Sequence, residues 1–248
     1  MKIIGSDYDG TLNHNGIDDK KKSALKAWHD AGNIFAIVSG RERNSLLRLY
    51  NEKNICCDYL IANNGAVIMK SDGTVTDDLR CDGELIEPLF RLLFENGCHE
   101  GWIQSTETHF VFVDPSFFNE EVSYTLESLP EIESFNQIST HLPTLEDAER
   151  VASLVKERFA GKLNPLQNGS YIDIVRADVN KAAGLYLLMD HLGAEYGDVI
   201  AVGDNINDSD MIREFKSYAM ESGYDVIKEL ADYVTPGITE LIERELGL

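Results

Sequence analysis

Basic residues are scarce in this sequence. Its 248 residues include 22 lysines and arginines against 43 aspartates and glutamates, which gives a formal net charge of −21. A field of this sign repels nucleic-acid backbones and anionic membrane surfaces, so we expect neither as a partner. A small anion could bind only where a metal ion, backbone N–H groups or a well-placed lysine makes the site locally positive.

Long apolar runs and cysteine motifs are also missing. No stretch approaches the roughly 18 apolar residues that a spanning helix needs, and Asp7 interrupts the first apolar run before a signal-peptide core could form. The four cysteines have no C-x-x-C spacing, and a chain of this length does not depend on disulfides, so we expect free thiols. We also expect a cytoplasmic protein that is a monomer or a weak homo-oligomer.

Strand and helix patterns alternate at both ends of the chain. Continuous apolar runs at 3–6, 34–38, 59–62 and 199–202 are typical of strands that are buried on both faces, and helical patterns separate them. This alternation predicts an α/β fold with a doubly wound, mostly parallel sheet covered by helices.

The middle of the chain has a different pattern. Helical stretches occur there at 84–96, 116–129 and 145–159. They mix with strands joined by short polar turns, which indicate antiparallel pairing, and one of these strands is predicted at 132–138. We therefore predict a discontinuous core of residues 1–82 and 178–248, interrupted by an inserted α+β domain of residues 83–177.

Two aspartates follow the first predicted strand. Asp7 and Asp9 are separated by one residue, so their side chains are expected to converge on one side where the strand stops. Two like charges in one place raise each other's pKa. Such a pair needs a divalent cation to offset the repulsion, or a catalytic use for one carboxyl in its protonated form.

Three further segments stand at strand ends or at a helix start, where sites of open α/β sheets occur. Ser39-Gly40 offers a hydroxyl and backbone N–H groups to an anion, unless Ser39 only caps the next helix. Lys181 opens a helix, where the dipole disfavours a cation, so it is either a solvated lysine or one that reaches an anionic site. The loop 204–208 offers hard oxygen ligands that suit Mg²⁺, unless it is only a solvated acidic loop.

In their order and residue types, the four segments resemble the four motifs of the haloacid dehalogenase superfamily of phosphotransferases. They are Asp7-Tyr8-Asp9-Gly10-Thr11, Ser39, Lys181 and Gly203-Asp204-Asn205-Ile206-Asn207-Asp208. The long α+β insertion after the second motif, together with Asn63-Asn64-Gly65-Ala66, is similar to the large-capped Cof-type sugar-phosphate phosphatases of that superfamily. The resemblance covers nearly the whole chain and implies a Rossmann-like core with an α+β cap domain.

The resemblance also implies a Mg²⁺-dependent phosphatase of small phosphorylated metabolites, with sugar phosphates as the expected class. Asp7 is the implied nucleophile, which forms an aspartyl-phosphate, and Asp9 protonates the leaving oxygen and then activates water. The implied phosphate-binding residues are Thr11, Ser39, Gly40 and Lys181. The implied Mg²⁺ ligands come from Asp7, Asp9, Asp204, Asn207 and Asp208.

Two other functions remain open at this point. A phosphomutase on the same scaffold, as in phosphomannomutases, would pass the phosphoryl group to a sugar hydroxyl instead of water. It would need several cations in the inserted domain for a second phosphate, whereas the basic residues between Arg150 and Lys162 have the spacing of a solvated helix. A non-catalytic sugar-phosphate-binding regulator would be expected to have lost Asp7, Asp9 or Asp204, and all three are present.

Overall fold

The chain forms two compact units. This computed structural model describes residues 1–106, 109–113, 124–125, 127–128 and 130–248. The first unit comprises Met1–Asp77 and Lys181–Leu248, and the second is Asp78–Asn180. The second unit begins five residues earlier and ends three residues later than the insert predicted at 83–177. No helix within the described ranges is long and apolar enough to cross a membrane.

Strands and α-helices make up most of the described chain. The strands are β1 (Ile3–Asp7), β2 (Ile34–Val38), β3 (Tyr59–Ala62), β4 (Val67–Lys70), β5 (Val75–Asp78), β6 (Cys81–Asp82), β7 (Glu100–Gln104), β8 (His109–Val113), β9 (Ser134–Phe135), β10 (Gln137–His141), β11 (Leu163–Asn168), β12 (Tyr171–Arg176), β13 (Val199–Gly203), β14 (Lys216–Met220) and β15 (Tyr233–Thr235). The helices are α1 (Asp19–Asp30), α2 (Arg43–Lys53), α3 (Ile86–Glu95), α4 (Leu145–Arg158), α5 (Lys181–Leu192), α6 (Ser209–Glu214), α7 (Asp225–Leu230) and α8 (Ile238–Leu246).

A sheet of strand order β15-β14-β13-β1-β2-β3-β4-β5 is the centre of the first unit. The pairs from β15 through β3 are parallel, and β4 pairs antiparallel with β3. This arrangement confirms the predicted doubly wound, mostly parallel α/β fold. Because Ser6 is in register with Val202, and Asp7 with Val38, the carboxyl ends of β1, β13 and β2 meet at one edge of the sheet.

Helix α5 packs closely against this sheet. Leu185 and Leu188 of the helix belong to the same buried apolar cluster as Ile61 of β3. The approach is so close that a Cβ atom placed on Gly184 would lie 2.7 Å from Ile61 Cγ2. The position therefore requires glycine, and the close packing fixes the first residue of the helix, Lys181, relative to the sheet.

The second unit is an antiparallel sheet with helices packed on it. Its sheet has the order β11-β12-β10-β7-β8, and every pair in it is antiparallel. Phe90 of α3 and Val151 of α4 join Ile138 and Ile172 of the strands in one buried cluster. This is the α+β pattern predicted for the insertion. The helix predicted at 116–129 lies largely outside the described residues.

The single strand predicted at 132–138 is wrong. The segment is split, because β9 pairs with β6 while β10 begins at Gln137 and belongs to the five-stranded sheet. Asn136 separates the two strands and is fully buried. Its side-chain N–H group donates to Asp78 Oδ1 at 2.6 Å, across 58 positions of sequence. A local pattern of apolar residues could not detect a break that depends on so distant a partner.

Candidate active site

Asp7 is the last residue of β1 and is only 6% exposed. Lys181, the first residue of α5, is fully buried, and its ammonium donates to Asp7 Oδ1 at 2.6 Å and also to Asp208 Oδ1. Asp208 is itself fully buried in the loop that follows β13. One buried cation therefore joins residues of three separate segments. The alternative of a solvated lysine at position 181 is wrong, because the side chain has no exposed surface.

Asp204 completes a group of three carboxylates at this edge of the sheet. One oxygen from each of Asp7, Asp204 and Asp208 lies within 4.8 Å of the other two. Thr11 Oγ1 donates to Asp204 Oδ1 at 2.5 Å, and the backbone N–H of Asp204 donates to Asp208 Oδ2 at 2.9 Å. These bonds hold both carboxylates in place. The burial of Asp208 also overturns the alternative of a merely solvated acidic loop.

The charge of this group fits a divalent cation. Three carboxylates and one ammonium leave a net charge of −2 when all four are ionised. Burial raises the pKa of Asp7, although Lys181 opposes it, and burial also raises the pKa of Asp204. Mg²⁺ prefers carboxylate oxygens, and a cation at this position would offset the excess negative charge. The residues present are therefore suited to hold such an ion.

The segment Tyr8–Leu12 turns sharply after β1 and carries Asp9 to a different environment. Gly10 has a φ of +85°, and a Cβ atom there would overlap Asp204 Oδ2, so this position requires glycine. The Asp9 side chain is 51% exposed and forms an ion pair with Arg41. Asp9 is not part of the three-carboxylate group among the described residues. The two aspartates that were expected to converge thus have different partners and different burial.

Ser39 directly follows β2 and is 2% exposed. Its Oγ accepts the backbone N–H of Arg41 at 3.2 Å, and its own backbone N–H donates to the Ile61 carbonyl at 2.8 Å. Helix α2 is capped instead by Glu42, whose carboxylate accepts two N–H groups of the first turn. The alternative that Ser39 only caps the next helix is therefore wrong. Gly40, which follows it, is half-buried.

The structure brings together five of the residues that were predicted for the site. These are Asp7, Thr11, Lys181, Asp204 and Asp208. Ser39 and Gly40 stand at the end of β2, which is the neighbour of β1 in the sheet. Asn207 is half-buried in the single turn Ile206–Asp208. The catalytic, phosphate-binding and metal-binding roles of all these residues stay predictions.

Sequence reasoning named Asn63 and Asn64 in the family resemblance but gave them no role in supporting Ser39. The backbone N–H of Asn64 donates to the Ser39 carbonyl at 2.9 Å, and that of Asn63 donates to the Arg41 carbonyl at 2.9 Å. Both asparagines have positive φ, 50° for Asn63 and 54° for Asn64, a conformation that asparagine tolerates better than most residues. The Asn-Asn-Gly sequence after the third strand was the available signal. Nothing local indicated that the Arg41 side chain would reach Asp9.

Comparison with known proteins gives the family. The family model described as haloacid dehalogenase-like hydrolase matches residues 4–240. The 5-amino-6-(5-phospho-D-ribitylamino)uracil phosphatase YcsE of Bacillus subtilis is 26% identical over 240 residues, which cover 95% of this chain and 90% of that protein. An HMP-PP phosphatase of an Enterobacter species is 25% identical over 235 residues, which cover 85% of this chain and 80% of that protein.

Solved structures show the same fold at lower identity. SMU.1108c of Streptococcus mutans matches with a TM-score of 0.84 and 19% identity over 100% of both chains. BT4131, a sugar phosphatase of subclass IIB of the haloacid dehalogenase superfamily, matches with a TM-score of 0.81 and 20% identity. The match covers 100% of this chain and 99% of that one. Because the family match extends over nearly the whole chain and includes all four motifs, the protein belongs to the haloacid dehalogenase-like hydrolases.

Proposed function

We propose that the protein is a Mg²⁺-dependent phosphatase of small phosphorylated metabolites, with sugar phosphates as substrates, that works through an aspartyl-phosphate on Asp7. The observation that carries this proposal is the burial of Asp7 at the end of β1, against Lys181 and beside Asp204 and Asp208. The names of YcsE, which acts on a phosphorylated ribityl compound, and of the sugar phosphatase BT4131 support the substrate class.

In this proposal Asp7 and Asp9 carry out the covalent chemistry. A carboxylate oxygen of Asp7 attacks phosphorus, the bond from phosphorus to the ester oxygen breaks, and Asp9 donates a proton to the leaving alkoxide. Asp9 then accepts a proton from the water that attacks the acyl phosphate. This second step releases inorganic phosphate and restores the Asp7 carboxylate, so that protons and charges balance over the cycle.

Other residues would balance the charge of the transferring phosphoryl group. Lys181 is held beside the nucleophile and supplies an ammonium, while Ser39 and Gly40 supply a hydroxyl and a backbone N–H group from the end of β2. The hydroxyl of Thr11 is already donated to Asp204, so its contribution to phosphate binding would come from its backbone N–H. Positioning and charge compensation are the main sources of rate in phosphoryl transfer.

The metal would be held by the carboxylate group at the same edge of the sheet. Its proposed ligands are the side chains of Asp7, Asp204 and Asp208, with the Asp9 backbone carbonyl and Asn207 assisting. When bound, Mg²⁺ supplies positive charge that is shared with the phosphoryl oxygens. The residual charge of −2 on the group when its carboxylates and Lys181 are ionised is the observation that favours a divalent ion over a monovalent one.

The direct test is phosphate release from a panel of metabolite monophosphates, with Mg²⁺ and with EDTA. We expect release that depends on the metal, and we expect Asp7→Asn to lower kcat by at least about 10³-fold, because an amide oxygen is a poor nucleophile. Acid-quenched enzyme should gain the mass of one phosphoryl group, and the Asp7→Asn protein should not. Asp19→Asn makes the same chemical change at an exposed position of α1 and should leave kcat unchanged.

Four outcomes would contradict the proposal. If no member of the panel releases phosphate, the proposed phosphatase activity itself is refuted. Full activity in EDTA would refute the metal dependence. Full activity of Asp7→Asn would refute the aspartyl-phosphate intermediate. Conversion of a sugar 1-phosphate to its 6-phosphate, activated by a bisphosphate and faster than hydrolysis, would establish the phosphomutase instead.

A further inference from the structure

Arg41 and Asp9 form a bidentate ion pair at the candidate site, and both side chains are partly exposed. Arg41 Nε lies 2.6 Å from Asp9 Oδ2, and Arg41 Nη2 lies 2.8 Å from Asp9 Oδ1. Partly exposed ion pairs usually contribute little to stability, and the side chains here are 40% and 51% exposed. The two parallel bonds nevertheless fix the plane of the carboxylate, because the guanidinium is a rigid planar fork.

Arg41 is itself anchored along its length. Its backbone N–H donates to Ser39 Oγ at 3.2 Å, and its carbonyl accepts the backbone N–H of Asn63 at 2.9 Å. Its guanidinium carbon lies 5.8 Å from the centroid of the Tyr8 ring, which is only 1% exposed. This distance is within the range of a cation–π contact. The end of β2 therefore presents the arginine to Asp9 from a fixed position.

Asp9 has a particular need for such a partner. Its neighbour Asp7 is fixed by burial and by Lys181, whereas Asp9 stands in a turn after the strand with half of its side chain exposed. An exposed carboxylate that is free to rotate samples several rotamers, which costs free energy whenever one of them must be selected. Proton transfer demands a donor within hydrogen-bonding reach of the leaving oxygen and correctly oriented.

We propose that Arg41 is a positioning residue that acts through Asp9. Its guanidinium holds the Asp9 carboxyl group in one orientation. This group, protonated before phosphoryl transfer, can then give its proton to the leaving oxygen and afterwards take one from water. The inference rests on the proposed function, in which Asp9 moves the proton. It differs from a role in binding the phosphoryl group directly, which would also use a cation near the site.

Substrates with different leaving groups distinguish positioning of Asp9 from direct binding of the phosphoryl group. A sugar or alkyl phosphate needs a proton on its departing alkoxide, whereas 4-nitrophenyl phosphate releases a stable phenolate and does not. Because kcat/KM reports only the steps up to the first irreversible one, it covers substrate binding and phosphoryl transfer to Asp7 and leaves out hydrolysis of the acyl phosphate. We expect Arg41→Gln to lower kcat/KM for the alkyl phosphate by about 10- to 100-fold. For 4-nitrophenyl phosphate the loss should be less than about threefold.

Matched variants sharpen the test. Arg41→Lys keeps the charge but has no planar fork, so we expect it to recover little of the lost alkyl-phosphate rate. Arg48→Gln removes an exposed arginine from α2 and should change neither substrate's kcat/KM. In an Asp9→Asn background, Arg41→Gln should cause no further loss, because its effect passes through the missing carboxylate. Far-ultraviolet circular dichroism of each variant checks that it is folded.

Several results would overturn the proposal while leaving the phosphatase function intact. Equal losses for both substrates would make Arg41 a ligand of the phosphoryl group. Full recovery by Arg41→Lys would show that charge alone matters. An unchanged Arg41→Gln would show that Arg41 has no part in catalysis, and an additive effect with Asp9→Asn would show that Arg41 does not act through Asp9. A wild-type protein that releases no phosphate would instead refute the proposed function.

Discussion

At the scale of single residues, Lys181 stands out as a fully buried charge. Its ammonium has no exposed surface and lies against two carboxylates that are 8% and 0% exposed. Burial alone would lower the pKa of this lysine, but Asp208 and Asp7 outweigh that effect and raise it. A buried charge of this kind is tolerated only while its partners remain, because the low-dielectric interior offers no water in exchange.

We therefore predict that Lys181→Met destabilises the protein strongly. The change leaves Asp7 and Asp208 buried without their cation, and removal of one partner of a buried pair costs about 3–5 kcal/mol of unfolding free energy. Saturating Mg²⁺ should recover part of this loss, because the ion would supply the missing positive charge. Urea unfolding in EDTA and in Mg²⁺ measures both effects.

The matched control is Lys26→Met on the surface of α1. Lys26 pairs with Asp30 at 2.7 Å, but both side chains are more than half exposed, at 68% and 56%. Its removal should change the unfolding free energy by less than about 0.5 kcal/mol. A Lys181→Met protein as stable as wild type in EDTA would contradict the buried ion pair. A loss that Mg²⁺ does not reduce would contradict the metal site proposed beside it.

At the scale of elements, local patterns carried most of the prediction. The helix predicted at 145–159 was readable because its buried residues Ala148, Val151 and Val155 recur at helical spacing. The strand ends were readable because buried apolar runs stop abruptly at polar residues such as Asp7. Contacts between distant segments were not readable. Arg41 and Asp9 are 32 positions apart, and the break at Asn136 depends on a side chain 58 positions away.

Helix α5 allows a prediction at this scale. Gly184 faces Ile61 and Gly65, whose nearest atoms would lie 2.7 Å and 2.9 Å from an added Cβ. Alanine favours a helix interior over glycine by about 1 kcal/mol, but the overlap with Gly65 involves backbone that cannot rotate aside. We predict that Gly184→Ala lowers the unfolding free energy by about 1–3 kcal/mol. The substitution should also lower kcat, because Lys181 lies one turn before Gly184 in the same helix and would be displaced with it.

Thermal unfolding and phosphate release on the same preparation provide the measurement. Gly197→Ala is the control, since a Cβ atom there would meet no atom within 4 Å and the residue is exposed. Its effect on unfolding should stay below about 0.5 kcal/mol. A Gly184→Ala protein that is more stable than wild type would show that helix propensity outweighs the packing contact, and that α5 does not hold Lys181 by close approach.

At the scale of the whole molecule, a formal net charge of −21 sets the conditions under which the fold and the site operate. Such a charge opposes compaction through self-repulsion and opposes the approach of a phosphate ester. The chain offsets this charge locally, by grouping cations and carboxylates in shared contacts. Lys181 contacts two carboxylates in the candidate site, and the carboxylate of Glu245 accepts from two lysines.

Glu245, in the last helix, joins that helix to Lys2 near the N-terminus and to strand β14. Its side chain is 4% exposed and accepts from Lys2 Nζ at 3.0 Å, Lys216 Nζ at 2.5 Å and Tyr218 Oη at 2.6 Å. Burial alone would raise the pKa of Glu245, but the hydrogen bonds from Lys216, Tyr218 and Lys2 outweigh it and lower the pKa from 4.5 to about 2. The carboxylate is thus stabilised in its ionised form only while the chain is folded.

The sign of the pH dependence follows from this depressed pKa. Folding is favoured by the ionised carboxylate above the unfolded pKa of 4.5, and this contribution is lost as the pH falls toward the folded pKa of about 2. We predict that Glu245→Gln lowers the unfolding free energy by about 2 kcal/mol at neutral pH, and that its difference from wild type shrinks below pH 4.5. Urea unfolding from pH 7 down to pH 3 measures this difference directly.

Glu229→Gln, at an exposed position of α7, should stay within about 0.5 kcal/mol of wild type throughout. A Glu245→Gln deficit that stays constant as the pH falls would show that the amide disturbs packing, and that the three donors do not act through the charge.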